Sequence, residues 1–320
     1  MTVATSGGAL ETALQDHYFV PFSQATGIPI AHDVWPGGVG ALGSQVANGT
    51  NDWDLVQVQA DDLRVGCANG LFEKLNWAAI GGQDHYLPQG VSDCGVGAAL
   101  SSAVLAWDRD KFQGTPTWAD FWDVAKYPGK RGLHRGVKMT LEIALMADGV
   151  APGDVYKTLR TDEGVDRAFR KLDQIKPYVT WWTADGDAPK LLGTGQVLLT
   201  SAPSRFVVAW NETQGRHFGI QWSGSLSCVD SWALVKGSPN AADALKLLAF
   251  MGDPAREAAF AAATHDGVFA KGAADKLTPD QLAASPGNPA NIAGTLQVDE
   301  SFWHDNLEKL SQRFDTWLAH

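Results

Sequence analysis

Apolar runs of strand length alternate along the chain with segments whose apolar residues recur at helical spacing. The strand-like runs are TVAT (2–5), WDLVQV (53–58), AVLAWD (103–108), QVLLTSA (196–202) and FGIQW (218–222). Amphipathic helical patterns lie between them. This alternation is typical of α/β proteins, in which helices cover a largely parallel sheet. We therefore expect an α/β fold.

One helix is predicted in detail by its first residues. Thr117, with Asp120 three residues later, resembles a capping box, in which each side chain accepts a hydrogen bond from the other residue's backbone. Trp118, Phe121 and Trp122 then share one face at helical spacing. These aromatic side chains are expected to pack in the core.

Two later helices and the C-terminus are also marked by their sequence. Asn240 is predicted to cap one helix, and Asp253 followed by Pro254 to begin the next. Residues 301–320 form an amphipathic helical pattern. No low-complexity linker interrupts the chain, so two domains would require the chain to cross between them more than once.

Composition narrows the class of protein. The chain has 320 residues, of which 45% are hydrophobic, and this suits two globular domains or one large one. No window has the roughly 18 uninterrupted apolar residues of a membrane span. The formal charge of −11 argues against nucleic acid or an anionic membrane as a partner. The 13 tryptophans either pack the core or provide aromatic walls for a small apolar or cationic ligand.

The three cysteines, Cys67, Cys94 and Cys228, leave the compartment open. In a cytosolic protein all three would be reduced and buried, whereas in an exported one Cys67 and Cys94 would be the expected pair. The N-terminus has no basic segment followed by a long apolar stretch, so no signal peptide is predicted. A removed signal peptide with an added Met1 would give the same sequence.

No motif indicates catalysis, a cofactor or a metal site. The pattern G-x-G-x-x-G at residues 38–43 follows Pro36, which breaks the strand-to-helix turn that dinucleotide binding needs. The eight histidines are scattered, without the spacing of metal ligands. We therefore expect a protein that is not an enzyme and that carries neither cofactor nor metal.

Several polar or aromatic residues lie where strands end and helices begin. Asp230 interrupts the apolar strand SLSCVDSWALV, and a buried carboxylate is costly unless a positive or hydrogen-bonding group meets it. The other candidates are Ser6, Gly7, Gly8, Trp181, Trp182 and Arg205. The segment Ser6–Gly8 is either an anion-binding turn or a plain helix start. Arg205 is either a ligand contact or a solvated side chain.

Longer motifs resemble a known family. They are FVPFSQATGIPI, WDLVQV, GLFEKLNW, PTWADFWDVAKYPGKRGL, GTGQVLL and VKGSPNAADALKLLAFMGDPA. Together they cover nearly the whole chain, and it resembles the solute-binding proteins of ABC importers, in the branch of spermidine/putrescine-binding proteins that also includes γ-aminobutyrate binders.

The resemblance implies a two-lobe periplasmic-binding-protein fold of type II, with a ligand cleft between lobes joined by hinge strands. We expect lobe one to comprise residues 1–106 and 231–272, and lobe two residues 107–230 and 273–320. It further implies a periplasmic location, a small-molecule ligand, a membrane permease as partner and a Cys67–Cys94 disulfide. A monomer that binds no nucleic acid is expected.

The resemblance also gives Asp230 a role, since the family places an acid there that binds an amine. After KRGL, however, polyamine binders carry a further acidic pair, whereas this chain has His134, Arg135 and Lys138, with Glu142 displaced along the helix. Arg205 would then bind a carboxylate, so that the ligand is a zwitterion such as γ-aminobutyrate.

Aromatic side chains complete the predicted site. Trp181, Trp182 and Trp35 would cover the methylene chain of the ligand and exclude water. His134 is included among the ligand-binding residues. The alternative function is a polyamine receptor.

Overall fold

The computed structural model describes residues 1–7, 9–35 and 37–320. The chain divides into two compact units. Unit 1 comprises Met1–Leu100 and Val229–Asn288, and unit 2 comprises Ser101–Cys228 and Pro289–His320. The chain therefore passes from one unit to the other three times, in keeping with the absence of a linker in the sequence.

The described strands are β1 (Thr2–Thr5), β2 (Ala31–Val34), β3 (Leu55–Val58), β4 (Gly95–Asp108), β5 (Arg131–His134), β6 (Val179–Trp182), β7 (Leu199–Pro203), β8 (Phe218–Leu234) and β9 (Leu296–Gln297). The α-helices are α1 (Ala9–Leu14), α2 (Val20–Thr26), α3 (Val39–Asn48), α4 (Ala60–Ala68), α5 (Trp118–Trp122), α6 (Thr140–Ala147), α7 (Val155–Leu159), α8 (Asp162–Ile175), α9 (Asp187–Gly193), α10 (Ser204–Gln214), α11 (Ala241–Met251), α12 (Pro254–Thr264), α13 (Pro279–Ala284), α14 (Pro289–Ile292) and α15 (Glu300–Ala319). A π-helical turn, Gln15–Phe19, joins α1 to α2.

Unit 1 is a sheet with helices on both faces. β1 lies between β2 and β3 in parallel register, and the end of β8 pairs antiparallel with β3. Successive strand residues point to opposite faces, so Val3 and Leu55 enter one core cluster, whereas Ala4 and Val56 enter the other. Both faces of β1 and β3 are therefore largely buried, as their nearly continuous apolar sequences indicate, whereas β2 is mostly exposed.

The predicted lobe boundaries differ from the observed units. The predicted breaks fall after residues 106, 230 and 272, and the observed ones after residues 100, 228 and 288. Residues 273–288, which were predicted to lie in lobe two, belong to unit 1 because Ala273 is fully buried in its core and Leu277 packs against that core. Asp230 likewise lies in unit 1.

Unit 2 repeats the parallel arrangement. β5 lies between β6 and β7 in parallel register, and β7 pairs antiparallel with β4. The capping box at Thr117 and Asp120 is confirmed, and the three aromatic side chains after Thr117 (Trp118, Phe121 and Trp122) are buried as predicted. Their core also contains the buried face of α8 and α15.

The two later helix starts differ. Asp253 accepts hydrogen bonds from the backbone N–H groups of Ala255 and Arg256, so this predicted start is confirmed. Asn240 stands at the N-terminus of α11, but its side chain makes no capping bond. Its Nδ2 instead donates to both carboxylate oxygens of Asp54, at 3.2 and 3.0 Å, because a buried carboxylate is the stronger acceptor.

Candidate functional site

A pocket of about 370 Å³ lies in unit 1, where the parallel strands β1, β2 and β3 end. Ligands of α/β sheets typically bind beyond the carboxyl ends of the strands, because the loops there carry side chains that no sheet contact uses. The residues that line the pocket are Ser6, Trp35, Gly37, Gly38, Gln57, Val58, Gln59, Asp61, Asp62 and Asp230.

The position of Asp230 explains the interruption of its apolar strand. β8 pairs with β3 so that Ser231 is opposite Val58, the last residue of β3. Asp230 precedes Ser231 and is half-buried in the wall of the pocket. Its carboxylate therefore lies at the edge of the sheet and not in the apolar interior of unit 1.

Three carboxylates give this pocket a negative potential. Asp61 and Asp62 come from the first turn of α4, where acidic residues are favoured by the helix dipole. Asp230 comes from β8. Among the described residues that line the pocket, none is basic. This charge distribution favours a cationic group and disfavours an anion.

Asp62 already has a local hydrogen-bond partner. Its Oδ2 accepts the backbone N–H of Gly38 at 3.1 Å. Burial raises the pKa of Asp62, the bond from Gly38 lowers it, and the charge of Asp61 raises it further. Asp62 thus fixes the loop before α3 in addition to contributing negative charge.

Three buried polar atoms of the pocket residues have no hydrogen-bond partner among the described residues: Trp35 Nε1, Gln57 Oε1 and Asp61 Oδ1. Buried polar groups in native proteins are nearly always paired with protein, water or ligand. Two of these atoms are acceptors and one is a donor. Such atoms at one pocket indicate that it binds a polar occupant.

Of the turn after β1, which was a candidate anion-binding site, only Ser6 lines the pocket among the described residues. Ser6 lines the pocket and is exposed. The N–H of Gly7 donates to Oγ1 of Thr5 at 3.2 Å, and the positive φ of 72° at Gly7 suits glycine. Gly8 lies outside the described residues. Since the pocket is acidic, an anion-binding role for this turn is not supported by its surroundings.

Trp35 is held in place by another tryptophan. It is 3% exposed and stacks on Trp53 with 5.9 Å between ring centroids. Trp53 Nε1 donates to Asp33 at 2.7 Å, which fixes the second ring. Trp35 therefore forms a rigid wall of the pocket.

In unit 2, His134 and Trp182 lie together at the carboxyl edge of the sheet. They are paired in the register of β5 and β6, and their ring centroids are 4.8 Å apart. Burial lowers the pKa of His134, although the nearby charge of Asp185 raises it. The net lowering of this pKa favours the neutral imidazole of His134.

The two adjacent tryptophans of the predicted wall lie on opposite faces of their strand. Side chains alternate between the two faces of a strand, and Trp181 packs on the opposite face from Trp182, against Phe314 and Trp317 of α15 at 5.6 and 6.1 Å. Trp181 is therefore part of the unit 2 core. Trp182 is 6% exposed, packs in a separate cluster and has a buried Nε1 without a partner among the described residues.

Arg205 lies in the first turn of α10, directly after β7. Its Nη2 donates to Asp185 Oδ2 at 3.4 Å, and the two side chains are 37% and 46% exposed. His134, Trp182, Asp185 and Arg205 thus all follow or end parallel strands at one edge of unit 2. Asp185 was not identified from the sequence.

Residues that had argued against a polyamine have different surroundings from those expected. Lys138 Nζ forms an ion pair with Glu300 at 2.6 Å. Glu142 is fully buried, and one of its oxygens accepts hydrogen bonds from Tyr156 at 2.7 Å and Trp303 at 2.6 Å. Glu142 is therefore a core residue of unit 2. The positive charge of Lys138 is largely neutralised.

Cys67 and Cys94, the pair expected for an exported protein, form a disulfide in unit 1 with their Cα atoms 5.8 Å apart. The bridge joins the last turn of α4 to the segment before β4. It therefore anchors the helix that carries Asp61 and Asp62.

Known proteins resemble the chain over its whole length. The model of the bacterial extracellular solute-binding proteins matches residues 17–290. The γ-aminobutyric acid-binding protein of Pseudomonas aeruginosa is 41% identical over 320 residues, which are 100% of this chain and 91% of that protein.

The chain belongs to the bacterial extracellular solute-binding protein family.

Solved structures agree with this membership. An ABC transporter substrate-binding protein from Bradyrhizobium japonicum USDA 110 superposes with a TM-score of 0.86 at 32% identity, over 99% of this chain and 98% of that one. The Atu4243-GABA receptor superposes with a TM-score of 0.87 at 27% identity, over 99% and 97% of the two chains. The solute-binding protein thus has the α/β fold of periplasmic binding proteins, as predicted.

Membership also fixes the general activity. Proteins of this family bind solutes and are not enzymes, and the family is extracytoplasmic. Substrate-binding proteins of ABC importers bind small ligands and interact with a membrane permease. Among the described residues, no helix is long and apolar enough to cross a membrane.

Sequence reasoning missed Gln57, Asp61 and Asp62 in the pocket of the solute-binding protein. One signal was available for Gln57, because it interrupts an apolar strand just as Asp230 does. Its neighbours Leu55, Val56 and Val58 are buried, whereas Gln57 is half-buried. The two aspartates carried no such signal, since acidic residues at a helix start are common.

Proposed function

We propose that this solute-binding protein captures γ-aminobutyrate or a similar ω-amino acid and delivers it to the permease of an ABC importer. Asp230 binds the ammonium group of the ligand and Arg205 binds its carboxylate. The observation that carries the proposal is the charge at the two strand edges. Carboxylates line the pocket of unit 1, with no basic residue among its described lining residues, and the guanidinium of Arg205 lies where the parallel strands of unit 2 end.

The pocket of unit 1 suits an ammonium group. Asp230 offers a charge-assisted acceptor, and such hydrogen bonds are about twice as strong as neutral ones. Trp35 presents a rigid aromatic surface, which attracts cations and covers methylene groups. The exposed hydroxyl of Ser6 is a further polar contact for the ligand, and Gly7 and Gly8 remain proposed contacts through their backbone.

The edge of unit 2 suits a carboxylate. The planar guanidinium of Arg205 can donate two parallel hydrogen bonds to a carboxylate. Its contact with Asp185, which is about half exposed, contributes little stability, so a ligand carboxylate can replace Asp185 in this contact. His134 and Trp182, beside this edge, provide a neutral imidazole and an indole that shield the ligand from water.

The similar proteins support this ligand. The Pseudomonas aeruginosa relative, identical at 41% of positions over the full chain, is a γ-aminobutyric acid-binding protein. The Atu4243-GABA receptor has nearly the same fold. We further propose that the two units act as the ligand-binding lobes, and that the protein is a monomeric periplasmic receptor. Its charge of −11 disfavours nucleic acid as a partner.

A polyamine such as putrescine is the second candidate, and a specific observation favours it. Three carboxylates line one pocket, which is more negative charge than a single ammonium requires. Burial lowers the pKa of His134 and so favours its neutral form, and Lys138 is paired with Glu300, so two of the positive charges that had argued against a dication are reduced. The zwitterion is favoured because Arg205 would repel the second ammonium.

Isothermal titration calorimetry with γ-aminobutyrate, butyrate, butylamine and putrescine separates the two candidates. The zwitterion proposal predicts that γ-aminobutyrate binds more tightly than either compound that lacks one of its charged groups. Binding of putrescine without γ-aminobutyrate would overturn it.

A further inference from the structure

Two buried acceptor atoms of the residues that line the pocket of unit 1 make no hydrogen bond to the described part of the chain. Gln57 Oε1 and Asp61 Oδ1 are buried, and neither has a hydrogen-bond partner among the described residues. Both residues line the pocket that Asp230 also lines. Leaving a buried acceptor unpaired is costly, so an occupant that donates hydrogen bonds would be stabilised here.

Local structure does not account for these acceptors. An aspartate in the first helical turn can bond to the free N–H groups of the helix start, but Asp61 Oδ1 receives none of them. Its neighbour Asp62 differs, because Oδ2 accepts the N–H of Gly38. Gln57 extends from a strand whose other side chains are buried and apolar.

An independent observation indicates that the pocket binds an occupant. Trp35 lines the same pocket and is only 3% exposed. Its Nε1 has no hydrogen-bond partner among the described residues. An indole N–H can only donate. An oxygen of the ligand, or of a water molecule that enters with it, would satisfy this donor.

We propose that Gln57 and Asp61 act with Asp230 as a set of three acceptors that selects a primary ammonium group over N-methylated amines. The inference rests on the proposed function, in which Asp230 binds the ammonium of the ligand. A primary ammonium has three N–H donors, which matches three acceptors. Each methyl group removes one donor and with it one hydrogen bond to this set, so affinity falls with every methyl added.

The test uses γ-aminobutyrate and its mono-, di- and trimethylated amines, each titrated into the wild-type protein by calorimetry. Affinity is expected to fall stepwise, by at least about tenfold between the primary and the trimethylated amine, since a hydrogen bond to a charged group is lost at each step. Equal affinities for all four compounds would overturn the inference while leaving the proposed function intact.

Variants assign the selection to particular residues. Gln57→Leu and Asp61→Asn should each lower the affinity for γ-aminobutyrate by about tenfold and lower the affinity for the trimethylated amine much less. The ratio of the affinity for γ-aminobutyrate to that for the trimethylated amine should therefore fall in both variants. Asp62→Asn is the matched control, because its carboxylate lines the same pocket but already accepts a backbone N–H. An unchanged ratio in both Gln57→Leu and Asp61→Asn would overturn the inference.

The titrations also distinguish a failure of the proposed function from a failure of the three-acceptor inference. If the wild type binds putrescine and not γ-aminobutyrate, the proposed function fails. The same variants are then compared on putrescine and its tetramethylated form, where the three-acceptor set makes the same prediction of a narrowed ratio. An unchanged ratio there would overturn the inference as well.

Discussion

Arg205 donates a hydrogen bond to Asp185 across 3.4 Å at the edge of unit 2. The side chains are 37% and 46% exposed, and ion pairs of such exposure contribute about 0–1 kcal/mol. The contact to Asp185 therefore contributes little to the stability of unit 2. A ligand carboxylate can replace Asp185 at small cost.

Replacing Arg205 should reduce the affinity for γ-aminobutyrate. Truncating one partner of a desolvated charge pair costs about 2–5 kcal/mol, so Arg205→Met is expected to weaken binding by roughly thirtyfold or more. Arg205→Lys should weaken it too, because an ammonium cannot reproduce the planar fork. Calorimetry measures both variants, and Arg205→Met should affect acids more than the matching monoamines.

Arg135→Met is the control for this experiment. Arg135 follows β5 at the same edge of unit 2 but is exposed, and its removal changes the net charge equally. It should leave affinity within about a factor of two. If Arg205→Met behaves like Arg135→Met, Arg205 does not bind the ligand.

Asp230→Asn should change which ligands are accepted. The amide keeps the size of the side chain and removes the charge that binds an ammonium, so γ-aminobutyrate should lose about thirtyfold or more in affinity while butyrate changes little. Asp84→Asn, an exposed aspartate of unit 1, is the charge-matched control. Equal losses for γ-aminobutyrate and butyrate in Asp230→Asn would contradict the assigned role.

The Cys67–Cys94 disulfide should stabilise unit 1. It closes a loop with a sequence separation of 27, for which the loss of chain entropy in the unfolded state predicts about 3.5 kcal/mol. Reduction should therefore lower the free energy of unfolding measured in denaturant. In the double variant Cys67→Ala/Cys94→Ala the reductant should have no further effect; a further loss would mean that reduction acts elsewhere.

Two buried glutamates should make the protein less stable as the pH rises. Burial raises the pKa of Glu142 to about 7, against hydrogen bonds from Tyr156 and Trp303 and the charge of Lys138, which lower it. Burial likewise raises the pKa of Glu257 to about 7, against the backbone N–H groups of Phe269 and Ala270 and the charge of His85.

The sign follows from the raised folded-state pKa. Each glutamate binds its proton more tightly in the folded state, so its contribution to stability is fully present below about pH 4.5 and is lost as the pH rises to about 7. The loss is up to about 3 kcal/mol for each group. Urea unfolding between pH 5 and pH 8 should therefore show a falling free energy of unfolding.

Conservative variants test this assignment. Glu142→Gln and Glu257→Gln should each flatten the decline between pH 5 and pH 8. Glu73→Gln should not, because hydrogen bonding to Lys236 lowers the pKa of Glu73, so that its titration lies below this range. Parallel curves for wild type and both buried variants would show that other groups cause the pH dependence.

Local patterns predicted the elements of this fold well, but not the packing between distant segments. The capping box at Thr117 depends on four neighbouring residues and was predicted correctly. Asn240 was predicted as a cap from the same kind of local signal, yet its side chain bonds to Asp54, far away in the sequence. Residues 273–288 were predicted for lobe two but belong to the compact unit 1 for a similar reason, since only the tertiary core shows what buries Ala273.

The candidate site shows the same limit. A polar residue in an apolar strand indicated Asp230 correctly as a pocket residue, and the same argument applied to Gln57 would have found it. The adjacent tryptophans do not form one surface, because successive side chains of a strand point to opposite faces. Trp181 packs against Phe314, whereas Trp182 lies on the other face beside His134. Asp61 could not be predicted, since its significance depends on the pocket that forms around it.

The measurement that tests the central claim most directly is the thermal stability of the wild-type protein with γ-aminobutyrate, butyrate, butylamine, putrescine or spermidine added. A ligand present at 100 times its dissociation constant stabilises the folded state by about 2.7 kcal/mol. The account predicts that γ-aminobutyrate raises the melting temperature at concentrations where butyrate and butylamine do not. Stabilisation by putrescine or spermidine without any by γ-aminobutyrate would contradict it.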